Sequence, residues 1–109
     1  MAQKTIHPTT HAIERFEQRV LPHLPAISRT KLKKKNRIKQ SLYGLVQRTE
    51  FSEESERVLH LQTFFTVRGY ALIPLTLVID PMNRTLCTVY ISPGWQNVGN
   101  EENPKWTWC

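Results

Sequence analysis

The sequence predicts an α+β domain, with two N-terminal helices packed on one face of a three- to four-stranded antiparallel meander. Three observations predict it. Apolar residues recur at helical spacing within residues 9–48, they alternate at period two within residues 58–92, and short turn signals join the alternating runs, as consecutive antiparallel strands require. At 109 residues the chain is read as a single domain, with a basic helical part at 9–48, a sheet part at 58–92 and a Trp-rich tail at 93–109.

Thr9 or Thr10 caps the first helix, residues 11–20 form its body, and Pro22 closes it because proline cannot continue a helical ladder. A short connector with Pro22 and Pro25 leads to a second helix, capped by Ser28 or Thr30 and running to Arg48. Its C-terminal half buries one stripe through Ile38, Leu42, Leu45 and Val46. Continued backwards on the same wheel, that stripe takes in Lys31 and Lys35, so the basic turns are expected to overhang the core or fray. An acidic linker over residues 51–57 separates the helices from the sheet.

Residues 58–67 alternate, with Leu59, Leu61, Phe65 and Val67 on one face and His60, Gln62, Phe64 and Thr66 on the other. Arg68 and Gly69 signal a turn. Residues 70–79 read as a second strand, which Pro74 marks as bulged or peripheral. Asp80, Pro81, Met82 and Asn83 form a turn with proline where turns accept it. Residues 84–92 read as a third strand, with Cys87, Val89 and Ile91 alternating against Leu86, Thr88 and Tyr90, and Cys87 expected as a small buried hydrophobe. Polar groups lie on or beside these strands: Arg68, Tyr70, Arg84, Thr88 and Tyr90. Thr88 and Tyr90 are expected on a solvent-facing side, which suits either a wet sheet face or a substrate. The tail holds Trp95, Trp106 and Trp108, which suit a lid on the core, partner anchors or base-stacking platforms; residues 106–109 form a short edge strand or an irregular packed segment.

Charge is divided unevenly. Residues 1–48 carry eleven Lys or Arg against Glu14 and Glu17, giving +9, while residues 49–109 carry four basic and seven acidic residues, giving −3; together they make the net +6. Seven of the eleven residues at 29–39 are basic, namely Arg29, Lys31, Lys33, Lys34, Lys35, Arg37 and Lys39, with no acid between them. Such a run supplies salt-sensitive, sequence-blind binding to nucleic acid, since each phosphate neutralised releases counterions. It lacks the interleaved Trp or Phe that membrane insertion favours.

On the first helix, His11, Arg15 and Arg19 stand four apart and form a stripe beside the apolar Ala12, Ile13, Phe16 and Val20. An imidazole that titrates near neutral pH beside fixed guanidiniums suits phosphate chemistry, and a solvated surface stripe paired with Glu14 and Glu17 suits the same residues. His7, His11, His23 and His60 have no carboxylate or cysteine at metal spacing, so no metal or other cofactor is expected. There is no glycine-flanked nucleophile elbow and no phosphate-cradling glycine loop. Cys87 and Cys109 supply neither a metal-spaced pair nor a disulfide framework, and no apolar run reaches transmembrane length. The first residues lack a secretory apolar core, so the expected location is cytoplasmic.

The segment Thr-His-Ala-Ile-Glu-Arg-Phe-Glu-Gln-Arg-Val at residues 10–20 resembles the N-terminal signature of small toxin-like proteins of the RelE and barnase-like ribonuclease superfamily: His-Ala, an Arg three residues on, then a further Arg. About ten residues carry this resemblance, and the order of helices before a meander agrees with it loosely. It implies a metal-independent endoribonuclease, or a relative, held inactive by an acidic antitoxin partner. Carried over by position, it implies His11, Arg15, Arg19 and Thr88 as catalytic residues. His11 would move the proton, and the arginines, helped by Arg68 or Arg84, would stabilise charge on the phosphorane. The basic run at 29–39 is heavier than the family pattern, and the tail after Ser92 departs from it. Two further readings come from the residues alone: a non-catalytic RNA- or DNA-binding protein using the basic run, RNA favoured, and a protein-interaction module using the tail. The apolar edge of the second helix also suits a homodimer.

Overall fold

A computed structural model describes residues 5–24, 26–66, 72–99 and 105–108, those at 26–28 and 72 by backbone alone. The class is α+β, with three helices, a mixed four-stranded sheet and a separate two-stranded ribbon. The elements in chain order are β1 (His7–Pro8), α1 (Thr10–Arg19), a 3-10 turn (Leu21–His23), α2 (Ala26–Lys31), α3 (Lys35–Arg48), β2 (Leu59–Thr66), β3 (Leu72–Asp80), β4 (Thr85–Ile91), β5 (Trp95–Asn97) and β6 (Trp106–Trp108).

The meander β2-β3-β4 is antiparallel throughout, but the sheet as a whole is not. Its order is β1-β4-β3-β2, and β1 runs parallel to β4, with His7 opposite Thr85 and Pro8 opposite Leu86. The amide of His7 donates to Arg84 at 2.9 Å and that of Thr9 to Leu86 at 3.1 Å. Alternate residues of an edge strand face the ladder, so the amide that Pro8 lacks falls on the side away from β4. Two residues are too few to show a period, which is why β1 has no signal in the sequence.

The second helix is two. α2 ends at Lys31, the chain turns through Leu32 to Lys34, and α3 begins at Lys35. A continuous helix would bury Lys31 and Lys35 beside Ile38 and Leu42, at a heavy desolvation cost. The break leaves both lysines exposed and lets the half-buried Leu32 pack on the core. From there α3 buries Ile38, Leu42, Leu45 and Val46, the stripe that the spacing predicts.

Strand β3 is central rather than peripheral, and Pro74 is buried in it opposite Phe64. The Pro74 carbonyl accepts from the Ser92 amide at 3.0 Å, so its nitrogen also points towards β4. The β3–β4 register ends one residue on, at Leu75 and Ile91. The missing donor therefore falls where the ladder stops. The bulge lies elsewhere. Val78 faces Thr88 and Ile79 faces Leu86, so Cys87 is the extra residue. It turns Leu86 onto the same side as Val89, both fully buried, and leaves Cys87 only half-buried.

The core joins Ala12, Ile13 and Phe16 of α1, the α3 stripe, and Phe65, Ile73, Leu75, Leu77, Ile79, Leu86 and Val89 of the sheet. Phe16 meets Phe65 edge to face with centroids 5.6 Å apart. The other side of the meander carries His60, Gln62, Phe64 and Thr66 from β2, Pro74, Thr76 and Val78 from β3, and Thr88 and Tyr90 from β4. In the tail, β5 and β6 pair with Trp95 opposite Trp108 and Asn97 opposite Trp106. Trp106 packs on the core and against His23, and Trp95 meets Phe64. The segment is thus a ribbon beside the main sheet rather than an edge strand of it.

Candidate nucleic-acid interface

Helix α1 is fixed at its start. Thr9 caps it in an extended conformation and accepts from the Ala12 amide at 3.1 Å. The same hydroxyl donates to the carbonyls of Leu86 and Cys87 at 3.0 and 3.2 Å. One side chain therefore ties the helix N-terminus to the bulge of β4, while Ala12, Ile13 and Phe16 anchor the inner face. His11, on the first turn, takes its position from this joint.

His11 and Arg19 are exposed and Arg15 is half-buried. Arg15 donates from Nε to His11 Nε2 at 3.4 Å and from Nη1 to Gln18 Oε1 at 2.9 Å. Its hydrogen bonds thus go to His11 and Gln18 rather than to Glu14 or Glu17. Nε2 is the acceptor in this contact. Arg15 is held between two neighbours of its own helix, a geometry that presents its guanidinium beside an imidazole able to take or give a proton.

The basic run occupies the break between α2 and α3. Arg29 is half-buried; Lys31, Lys33, Lys34, Lys35, Arg37 and Lys39 are exposed. Lys34 stands at the N-cap of α3 without a side-chain cap, and the first turn of α3 contains no acid. Cations at this end of a helix oppose its dipole, so the start of α3 gathers positive charge and uncapped amides that an anion would offset.

Of the remaining predicted residues, Thr88 and Arg84 lie elsewhere, on β4 and just before it. Thr88 pairs with Val78 on the side of the meander turned away from the shared core, whereas α1 packs on the core side through Phe16 and Phe65. The structure therefore does not bring Thr88 to His11, because alternation with the buried Val89 sets its face. The Thr88 hydroxyl oxygen is buried without a hydrogen-bond partner. Arg84 follows the β3–β4 turn, with a positive φ of 53°, and donates to Thr5 Oγ1 at 2.7 Å. It lines a cleft of about 430 Å³ with Glu53, Glu54, Pro81 and Met82. Two carboxylates on that cleft work against a phosphate there. Arg68 lies outside the described residues, as do Tyr70 and Cys109.

The structure adds a pair that spacing along the chain does not single out. His60 Nδ1 lies 3.4 Å from the Tyr90 hydroxyl, reaching diagonally across β3 from β2 to β4. Period-two alternation places each residue on the outer side, but only the register brings them together.

Among the described residues no group of three or more His, Cys, Asp or Glu is placed to hold a metal ion, and no helix is long and apolar enough to cross a membrane. Compared with family models, curated proteins and solved structures, the chain matches none.

Proposed function

We propose that this protein binds RNA through the cationic surface of its helical half. The observation that carries the reading is the exposure of Lys31, Lys33, Lys34, Lys35, Arg37 and Lys39 around an uncapped helix start. Exposed cations without an acid in the run supply phosphate contacts whose affinity falls steeply with salt. With α1 and α3 covering one side of the sheet, the His11, Arg15 and Arg19 stripe extends the positive surface along α1.

A second reading is favoured by the Arg15–His11 contact: metal-independent cleavage of the bound strand, in keeping with the resemblance of residues 10–20 to RelE and barnase-like toxins. His11 would take the proton of the ribose 2′-hydroxyl at Nε2 once Arg15 turns from that nitrogen to the phosphate, and Arg15 and Arg19 would stabilise negative charge on the phosphorane. On this reading an acidic antitoxin is the natural protein partner and the cytoplasm the natural location.

Labelled single-stranded RNA incubated with the protein in EDTA tests both readings at once. Binding is expected for the intact chain and for His11→Ala; cyclic-phosphate products are expected from the intact chain alone. Binding without products removes the cleavage reading and leaves the first. Equal cleavage by His11→Ala removes His11 as the proton carrier, and no binding at low salt overturns the proposal.

A further inference from the structure

We infer that the outer side of the sheet, together with the tail ribbon, is a stacking platform for the unpaired bases of a single-stranded RNA. The inference rests on the RNA-binding reading above and deepens it, since the helical cations account for phosphates and leave the bases without a site.

Three rings form a continuous row. Phe64 meets Trp95 with centroids 5.7 Å apart and planes at 84°, and Trp95 meets Trp108 at 5.6 Å and 77°. The two ends of the row are open: Phe64 is 40% exposed and Trp108 66% exposed. Large exposed aromatics beside one another are costly unless they serve an interaction.

The row is also rigid, which separates it from a loose surface cluster. Gly94 has φ of +88°, and a Cβ placed on it would meet the six-membered ring of Trp108 at 2.9 Å. The Trp108 ring thus lies against the Gly94 backbone while the residue stays 66% exposed. The pairing of Trp95 with Trp108 across β5 and β6 fixes the distance between the rings. A ring held before the ligand arrives loses little rotamer freedom on binding.

The chemistry around the row favours bases over other occupants. The outer positions of β2, β3 and β4 include His60, Gln62 and Tyr90, and the exposed Lys105 precedes Trp106. Among the described residues of those positions the one carboxylate is Asp80, which ends β3 at the far side from Pro74 and Phe64 and accepts from Asn83 of the turn. A nucleobase needs a ring face to stack on and polar groups for its edge, and His60, Gln62 and Tyr90 offer both donors and acceptors. Trp and Phe also suit a lipid surface, but lipid would strip His60, Gln62 and Tyr90 beside them of water without giving them partners, which a base edge supplies.

Two labelled probes of equal length and charge test the platform: a single-stranded RNA and the same ribose-phosphate chain without bases. The intact protein is expected to bind the RNA more tightly. Trp108→Ala and Phe64→Ala are each expected to weaken RNA binding about tenfold, and to leave binding of the abasic chain unchanged, which also reports that the variants fold. Trp108→Phe, which keeps a ring, restores part of the loss. If the intact protein binds the two probes equally, the platform is overturned while phosphate binding stands; if it binds neither, both readings fall. Sedimentation without RNA supplies the remaining outcome: a dimer abolished by Trp108→Ala, with RNA affinity unaltered, would assign the face to a second copy of the chain and overturn the inference.

Discussion

In the helical half, exposed cations crowd the break between α2 and α3, and their positions relative to one another matter little to a phosphate chain. In the sheet half, the outer side is largely neutral and aromatic, and its residues matter only in the arrangement that register and ribbon pairing impose. Residues 1–48 carry +9 and residues 49–109 carry −3, so the two halves differ in sign as well as in chemistry. The difference teaches that exposure alone equips the first surface, whereas the second depends on folding. Long-range charge needs no fixed geometry, but ring stacking falls away within ångströms.

The harshest way to break the comparison is to cut the joint between the halves. Phe16 is fully buried and meets Phe65 of β2, so Phe16→Ala is expected to lower the free energy of unfolding by about 3–5 kcal/mol, read by urea denaturation. Next in size is an effect confined to the helical half. Reversing Lys33, Lys34 and Lys35 together to Glu is expected to reduce RNA affinity about 100-fold at low salt and to raise the urea midpoint slightly, because all three are exposed and carboxylates suit the start of α3.

A smaller effect tests how α1 is held on β4. Thr9→Ala removes the cap on Ala12 and the donor to Leu86 and Cys87, and is expected to cost about 1–2 kcal/mol of stability. The smallest is confined to the sheet half. Arg84 adopts φ of 53°, a region that glycine enters without strain, so Arg84→Gly is expected to raise stability by up to about 1 kcal/mol, offset by loss of its bond to Thr5. RNA affinity should stay as it was, since Arg84 shares its cleft with Glu53 and Glu54.

What could be read from the sequence follows the length over which a pattern repeats. The ten residues of α1, the α3 stripe and the alternation of β2 repeat long enough to show their period, and the structure places them as predicted. The two residues of β1 and the three each of β5 and β6 do not. The clash of Lys31 and Lys35 with the apolar stripe points to a change at residues 32–34, although it predicts turns that overhang the core or fray rather than a second helix. The bulge at Cys87 leaves no local mark in the sequence, and with it goes the correct side for Leu86. Residues of the candidate surface on one helix, such as His11 and Arg15, were legible because helical neighbours are fixed by spacing. His60 and Tyr90 were not legible as a pair, because thirty residues and two strand registers lie between them.

The central claim is that the lysines at the start of α3 hold phosphates. Its most direct test is the affinity of the intact protein for single-stranded RNA as a function of salt, beside the Lys33→Glu, Lys34→Glu, Lys35→Glu variant. The account predicts a straight fall of log affinity with log salt, and a slope shallower by about 2 in the variant, near 0.7 for each phosphate no longer neutralised. Equal slopes for the two proteins would contradict it.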